Sequence, residues 1–330
     1  MITEIKLPLE KATLQSFSSA NNEPNWLMEL REKAFDSLTS LEMPKPDKTN
    51  IRNWNFTEFA NHTVESEAFS SLDELPEEVK ALLDAEEKHN IYVQRNNTPA
   101  FISLSETLKE QGVIFTDIIT AAREHSELVQ KYFMTKGIKV DEHRLTALQA
   151  ALMNGGIFIY VPKNVEVKEP LQAVFLRDNK DASLFNHVLI VADENSQVTY
   201  VENYISTVEG SGLATIATEV IGENGSKLLY GAADTLKKDE VTYVNRRGVA
   251  GNDATIEWAL GQMNDGNTIS ENVTNLVGNG SNSNAKTVVV GRGEQKQNFT
   301  TNIRHYGKNS EGFILSHGVM KDSASAIFNG

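Results

Sequence analysis

One turn signal returns through the second half of the chain at nearly constant spacing. It reads Asp193-Glu194-Asn195-Ser196, Gly222-Glu223-Asn224-Gly225-Ser226, Gly251-Asn252-Asp253, Gly278-Asn279-Gly280-Ser281 and Gly307-Lys308-Asn309-Ser310. The turns open at positions 192, 222, 251, 278 and 307, in steps of 30, 29, 27 and 29 residues. A fixed period in the range of roughly 20–50 residues marks a solenoid or a propeller.

The intervening segments are rich in Val, Ile, Thr, Tyr and Phe and read as strands: Val188–Val191, Val198–Ile205, Leu213–Ile221, Leu228–Tyr230, Val241–Val244, Thr255–Leu260, Thr268–Val277, Thr287–Val290, Phe299–Tyr306 and Phe313–Met320. No proline follows Pro170, whereas 17 of the 21 glycines lie after position 200. Proline cannot donate to a strand ladder, and glycine supplies positive φ at tight corners. A propeller blade needs about four strands in about 40–45 residues. This repeat holds about two, so stacked coils of a parallel β-helix fit better than a propeller or sandwich, with neighbouring coils about 4.8 Å apart. Such a rod requires Gly222, Gly251, Gly278 and Gly307 to line up in a column.

Ahead of the repeats the pattern is mostly helical. Trp26, Leu27, Leu30, Ala34 and Leu38 recur at helix spacing, with Asn25 as a candidate cap. Leu41–Thr49 carries Pro44 and Pro46 and reads as a linker. Leu72–Asp84 reads as a short acidic helix or irregular segment. Ile91–Val93 and Ala100–Ile102 form a strand pair around a polar turn. Helical spacing returns over Leu104–Gln111, Asp117–Met134 and Asp141–Met153, with Gly155-Gly156 as the expected C-terminal stop. The expected organisation is a helical region with a short strand pair over 1–154 and a β-helix over 155–330.

Composition narrows the function classes. With 45 acidic against 31 basic residues the net charge is −14, which repels phosphate backbones and anionic lipid and argues against nucleic-acid and membrane-surface roles. The chain has no cysteine, so it offers no disulfide, thiolate metal site or thiol nucleophile. Met1–Glu10 lacks the apolar stretch of a leader. The longest apolar runs are about five residues, far below the roughly 20 that span a bilayer. A cytoplasmic protein is expected. The sequons at Asn61, Asn272 and Asn298 read as chance.

Candidate chemistry is sparse. Gly225-Ser226-Lys227 and Gly291-Arg292-Gly293 do not complete a phosphate-binding loop. Ser211 and Ser316 have no readable base partner. Asp234, Asp239, Asp253 and Asp265 fall near turns and are expected to be solvated; gathered on successive coils, they would instead suggest a calcium or polysaccharide-cleaving site. Alternation along the strands places His305 with Phe299 and Ile303, and His317 with Phe313, Leu315 and Val319. One repeat earlier these positions hold Leu276 and Val288, so both histidines are expected to point inward, as core histidines or as a metal or proton site. No catalytic, cofactor-binding or metal-ligating residue is assigned.

Longer tracts carry a resemblance. Gly155-Gly-Ile-Phe-Ile-Tyr160-Val-Pro-Lys163 with Glu169-Pro170-Leu171-Gln172 resembles the opening of the core in the SufB/SufD family of iron–sulfur cluster assembly scaffolds. Pro24–Arg31 with Met43-Pro44, the strand pair around Ile91–Ile102, and His143–Asn154 resemble its SufD branch. Gly318–Gly330, with Lys321-Asp322 and Phe328-Asn329-Gly330, is similar to the family's "KD…FNG" coil. The resemblance implies a right-handed parallel β-helix behind a helical region. It also implies a non-catalytic scaffold working with SufB-like and SufC-like partners, the latter an ATPase. Any iron–sulfur cluster would be held only transiently at the level of the complex, with no cofactor in this chain. Family members continue past the "FNG" coil. This sequence ends there, so a truncated form is expected, and His305 and His317 do not correspond to the family's cluster-site histidine. The exposed last coil is expected either to pair with another copy, as a homodimer, or to be frayed. A polysaccharide-active β-helix enzyme and a general β-helical interaction protein are the alternatives.

Overall fold

The computed structural model describes residues 7, 9–84, 89–210, 212–238 and 241–330. The N-terminal part runs α1 (Lys11–Ala20), α2 (Asn25–Ser37), α3 (Glu77–Lys80), β1 (Ile91–Arg95), β2 (Thr98–Ser103), α4 (Glu106–Glu110), β3 (Ile114–Asp117), α5 (Ile118–Glu124), α6 (Ser126–Tyr132) and α7 (Arg144–Leu152). The repeats follow as β4 (Gly155–Val161), β5 (Leu171–Arg177), β6 (Leu184–Ala192), β7 (Gln197–Ser206), β8 (Leu213–Gly222), β9 (Lys227–Thr235), β10 (Val241–Ala250), β11 (Thr255–Gln262), β12 (Asn267–Leu276), β13 (Asn282–Gly291), β14 (Lys296–His305), β15 (Glu311–Met320) and β16 (Ser325–Asn329).

Alternate strands belong to opposite sheets. One eight-stranded sheet has the order β15-β13-β11-β9-β7-β5-β1-β2, the other β16-β14-β12-β10-β8-β6-β4-β3. Every repeat strand pairs in parallel with the strand two places along, as in β8 with β10 (Leu213↔Val241) and β9 with β11 (Lys227↔Thr255). This is a parallel β-helix of about six coils; eight of the ten strand segments read from the sequence fall within its strands, and the other two overrun β12 and β14 by one residue each, at Val277 and Tyr306. The sheets do not begin at residue 155. β1 pairs in parallel with β5, β2 lies antiparallel outside β1, and β3 lies antiparallel to β4. These strands cap the first coil, where a free edge would otherwise stand.

The repeated turn makes a corner column. Asn164, Asn195, Gly225, Asp253, Gly280 and Asn309 all take positive φ, between 53° and 70°. Asn, Asp and Gly are the residues that tolerate that conformation. The corners are also bonded to one another. Asn224, Asn252 and Asn279 each accept, at their side-chain oxygens, the backbone N–H of the next coil's Asn252, Asn279 and Lys308, all at 2.8 Å. The glycines do line up: Gly251 N–H donates to the Gly222 carbonyl at 2.8 Å. A Cβ on Gly307 would lie 1.9 Å from the Gly278 carbonyl oxygen, and one on Gly278 2.1 Å from the Gly251 carbonyl carbon.

Two large cores lie one on each side of the β4–β16 sheet, and a smaller third one packs Leu75 and Val79 against Ile91, Val93, Val174 and Leu176 of β1 and β5. Inside the coils lie Ile157, Val188, Ile190, Ile216, Val220 and Ile256, with Tyr200, Tyr230 and Trp258 stacked on successive coils. On the outer face of that sheet Phe158, Phe185, Leu189 and Ile221 pack against Leu27, Ala34, Leu145 and Leu148 from α2 and α7.

Two sequence readings need correction here. Asn25 is the first residue of α2 rather than its cap; Pro24 holds the cap position, and no side chain caps the helix. Gly155-Gly156 do not terminate α7, whose cap position is Met153. They open β4, and Gly156 at φ +129° has no room for a Cβ, which would sit 1.9 Å from the His187 carbonyl oxygen.

Candidate functional site

The polar residues that come together do so inside the coils. Asp234 was expected in a solvated turn. It is instead buried in β9, because β9 stays in the ladder with β7 past its apolar run, pairing Tyr204 with Asp234. Across the lumen Arg246 of β10 donates from Nη2 to both Asp234 oxygens, at 2.8 and 2.9 Å. Glu202 of β7 lies 3.8 Å from Arg246 Nη2, accepts the Tyr200 hydroxyl at 2.8 Å, and also accepts the Tyr230 hydroxyl. Burial pushes the Glu202 carboxyl up to about 7, against the opposing pull of Arg246. The same burial, helped by Glu202, raises the Tyr200 and Tyr230 hydroxyls well above their ordinary value. All five side chains are enclosed, so two acids on successive coils exist here without being accessible to a polymer substrate.

A second polar cluster fastens the N-terminal part to the outer face of the sheet. Glu219 of β8 is buried and accepts the backbone N–H groups of Met134 at 2.7 Å and Ile138 at 3.0 Å. His187 Nε2 lies 3.0 Å from the same carboxylate. Beside it Arg247 bridges Glu142 at 3.1 Å and Glu271 at 3.2 Å. The Tyr243 hydroxyl meets His143 Nε2 at 3.0 Å, and the other ring nitrogen of His143 caps α7.

The remaining candidates stay apart. Asp253 is an exposed corner residue, and Asp265 pairs with Arg292 at 3.0 Å, both at turns as expected. Asp239 and Ser211 lie outside the described residues. Ser316 occupies an inward register opposite Thr287 but is exposed. The expectation of two inward histidines fails. His317 pairs with Val288, which is itself 49% exposed on the outer face, so the apolar neighbour was no guide to direction. His305 does share the inward register of Leu276, yet it lies in the last coils, is exposed, and bonds Ser310 at 2.8 Å. Among the described residues no three His, Cys, Asp or Glu side chains are placed to hold a metal ion, and no helix is long and apolar enough to cross a membrane. The Glu202–Asp234–Arg246 cluster escaped the sequence reading. Its signal was present, since the alternation of β7 from Val198 through Tyr200 to Tyr204 puts Glu202 on the inner face.

The chain is thus a parallel β-helix protein with enclosed interior charges and a helical region bonded to its outer face. Two family models match it in chain order: the SufBD protein N-terminal region over residues 14–173, and the SUF system FeS cluster assembly, SufBD core domain over residues 175–330. The chain therefore belongs to the SufB/SufD family of Suf-system iron–sulfur cluster assembly proteins. It is 62% identical over 328 residues to the iron–sulfur cluster assembly protein SufD of Bacillus subtilis, covering 98% of this chain and 75% of that protein. It is 27% identical over 332 residues to a SufBD family protein of Staphylococcus aureus, covering 98% of this chain and 71% of that protein.

Proposed function

We propose that the chain is a SufD-like, non-catalytic scaffold subunit of a cytoplasmic Suf assembly complex, working with a SufB-like subunit and a SufC-like ATPase. The observation that carries this reading is the 62% identity to a SufD along 98% of the chain. The fold supports it, since the paired acids are enclosed with Arg246 and cannot meet a substrate from solution. The chain contributes no cysteine thiolate, so the cluster is cargo of the complex and is held, transiently, largely by groups from a partner.

Co-purification with SufB-like and SufC-like subunits tests the reading. A stable complex that supports cluster transfer to an apo-protein is expected. Failure to associate with either subunit, or turnover of a substrate by the isolated chain, would overturn it.

A further inference from the structure

The interior changes character half-way along the rod. In β6 and β8 the inward positions are mostly apolar: Val188, Ile190, Ala214, Ile216 and Val220. In the same registers β10 and β12 place Thr242 and Arg246, then Thr268, Ser270, Asn272 and Thr274. The facing sheet adds Gln262 and Thr287. All are buried.

Most of these side chains have polar atoms without a hydrogen-bond partner among the described residues. They are Arg246 Nη1, Thr242 Oγ1, Thr268 Oγ1, both polar atoms of Asn272, Gln262 Oε1 and Thr287 Oγ1. The register makes them neighbours: Arg246 lies beside Asn272 and Thr242 beside Thr268 on adjacent strands, with Gln262 and Thr287 opposite. Each such atom is costly to bury unpaired. Together they would outweigh the narrow stability margin of an ordinary domain. The set mixes donors (Arg246 Nη1, Asn272 Nδ2) with acceptors (Gln262 Oε1, Asn272 Oδ1) and hydroxyls that do both. A single small anion or cation would satisfy only one kind. Water satisfies both, and buried water commonly makes about three such bonds.

We propose that the lumen from β10 to β13 is a binding site for a file of internal water, with the Arg246–Asp234–Glu202 cluster as its charged floor. The coils before it are lined mainly by valine and isoleucine and hold fewer such atoms, among them Asn186 Nδ2 and the Tyr204 hydroxyl. The file holds the polar interior in one arrangement and is a built part of the fold.

Oxygen-17 relaxation dispersion on the intact chain counts long-lived water directly. A population of such water is expected, and it should fall in the double variant Asn272→Leu/Thr287→Val. The single variant Asn272→Ser, which keeps a hydrogen-bonding group, should retain most of it. A crystal structure of the unmodified chain gives a readout independent of any variant's folding, with ordered water expected within hydrogen-bond reach of Arg246 Nη1 and Asn272. An unchanged long-lived population in a folded double variant would overturn the proposal. So would a crystal structure in which these atoms are satisfied by one another.

Discussion

Arg246 and Asp234 are twelve residues apart in sequence and meet across the lumen of the β-helix, joined by two hydrogen bonds of 2.8 and 2.9 Å with both side chains buried. Removing one partner leaves an uncompensated interior charge, which costs about 3–5 kcal/mol, whereas replacing a whole buried ionic group by apolar residues is often neutral. Asp234→Ala is therefore expected to lose that much in urea unfolding. The triple variant Glu202→Gln/Asp234→Leu/Arg246→Met should recover most of it. A loss below about 1 kcal/mol in Asp234→Ala would show that the pair is not charged and enclosed as described.

Glu202 should make stability pH-dependent. Its folded value, pushed to about 7, lies above the ordinary value of 4.5, so the folded state holds this proton over a window in which the unfolded chain has released it. The associated stability is fully present below about pH 4.5 and is lost as pH rises through about 7, at a total on the order of 3 kcal/mol. Glu202→Gln removes that dependence. Its midpoint should fall less than that of the parent chain between pH 5 and 8, and near pH 8 it should be at least as stable. Parallel melting curves across the window would refute the placement of Glu202.

The rod was legible because its signal is local and repeated. Each corner needs a residue tolerant of positive φ, and Asn195, Gly225, Asp253, Gly280 and Asn309 announce it one coil at a time. The contents of the lumen were less legible. Asp234 looked like a turn residue because the run of large apolar residues in β9 ends at Tyr230, while the strand continues through Gly231 and the small Ala232 and Ala233. His317 was misdirected because inward positions of β15 are Gly312, Ile314, Ser316 and Gly318, and the larger Phe313, Leu315 and Val319 lie on the opposite face. Apolar alternation identifies the core face only when the other face is solvated, and neither face of β15 follows that rule. The break at His125 between α5 and α6 also leaves no mark in the spacing of apolar residues.

Glu219 should act as the latch for the segment between α6 and α7. Its carboxylate accepts two backbone N–H groups, from Met134 and Ile138, in a buried setting. Glu219→Ala leaves both donors without a partner, and each buried donor so stranded costs about 1–3 kcal/mol. The expected outcome is faster amide exchange and proteolysis confined to residues 133–140, with the ladder of the later coils still protected. Uniform loss of protection along the whole chain would mean that Glu219 supports the β-helix itself.

Glycine at 156 and glycine at 293 separate two reasons for the residue. Both have positive φ, +129° and +62°, but a Cβ at Gly156 would lie 1.9 Å from the His187 carbonyl oxygen, while one at Gly293 meets nothing within 4 Å. At Gly293 an alanine bears only the left-handed backbone cost, about 1–2 kcal/mol, and should be tolerated. At Gly156 relief of the clash requires β4 to part from β6 where the two strands first pair, since Gly156 stands opposite His187. The Tyr92 hydroxyl and the Gln94 side chain also bond the Gly156 backbone there, at 3.1 and 2.8 Å, so movement would break the join between β1 and the first coil as well. Gly156→Ala is therefore expected to yield insoluble or largely unfolded protein under conditions where Gly293→Ala is soluble and cooperative in urea unfolding. Equal stability of the two variants would show that the β4–β6 contact is looser than described.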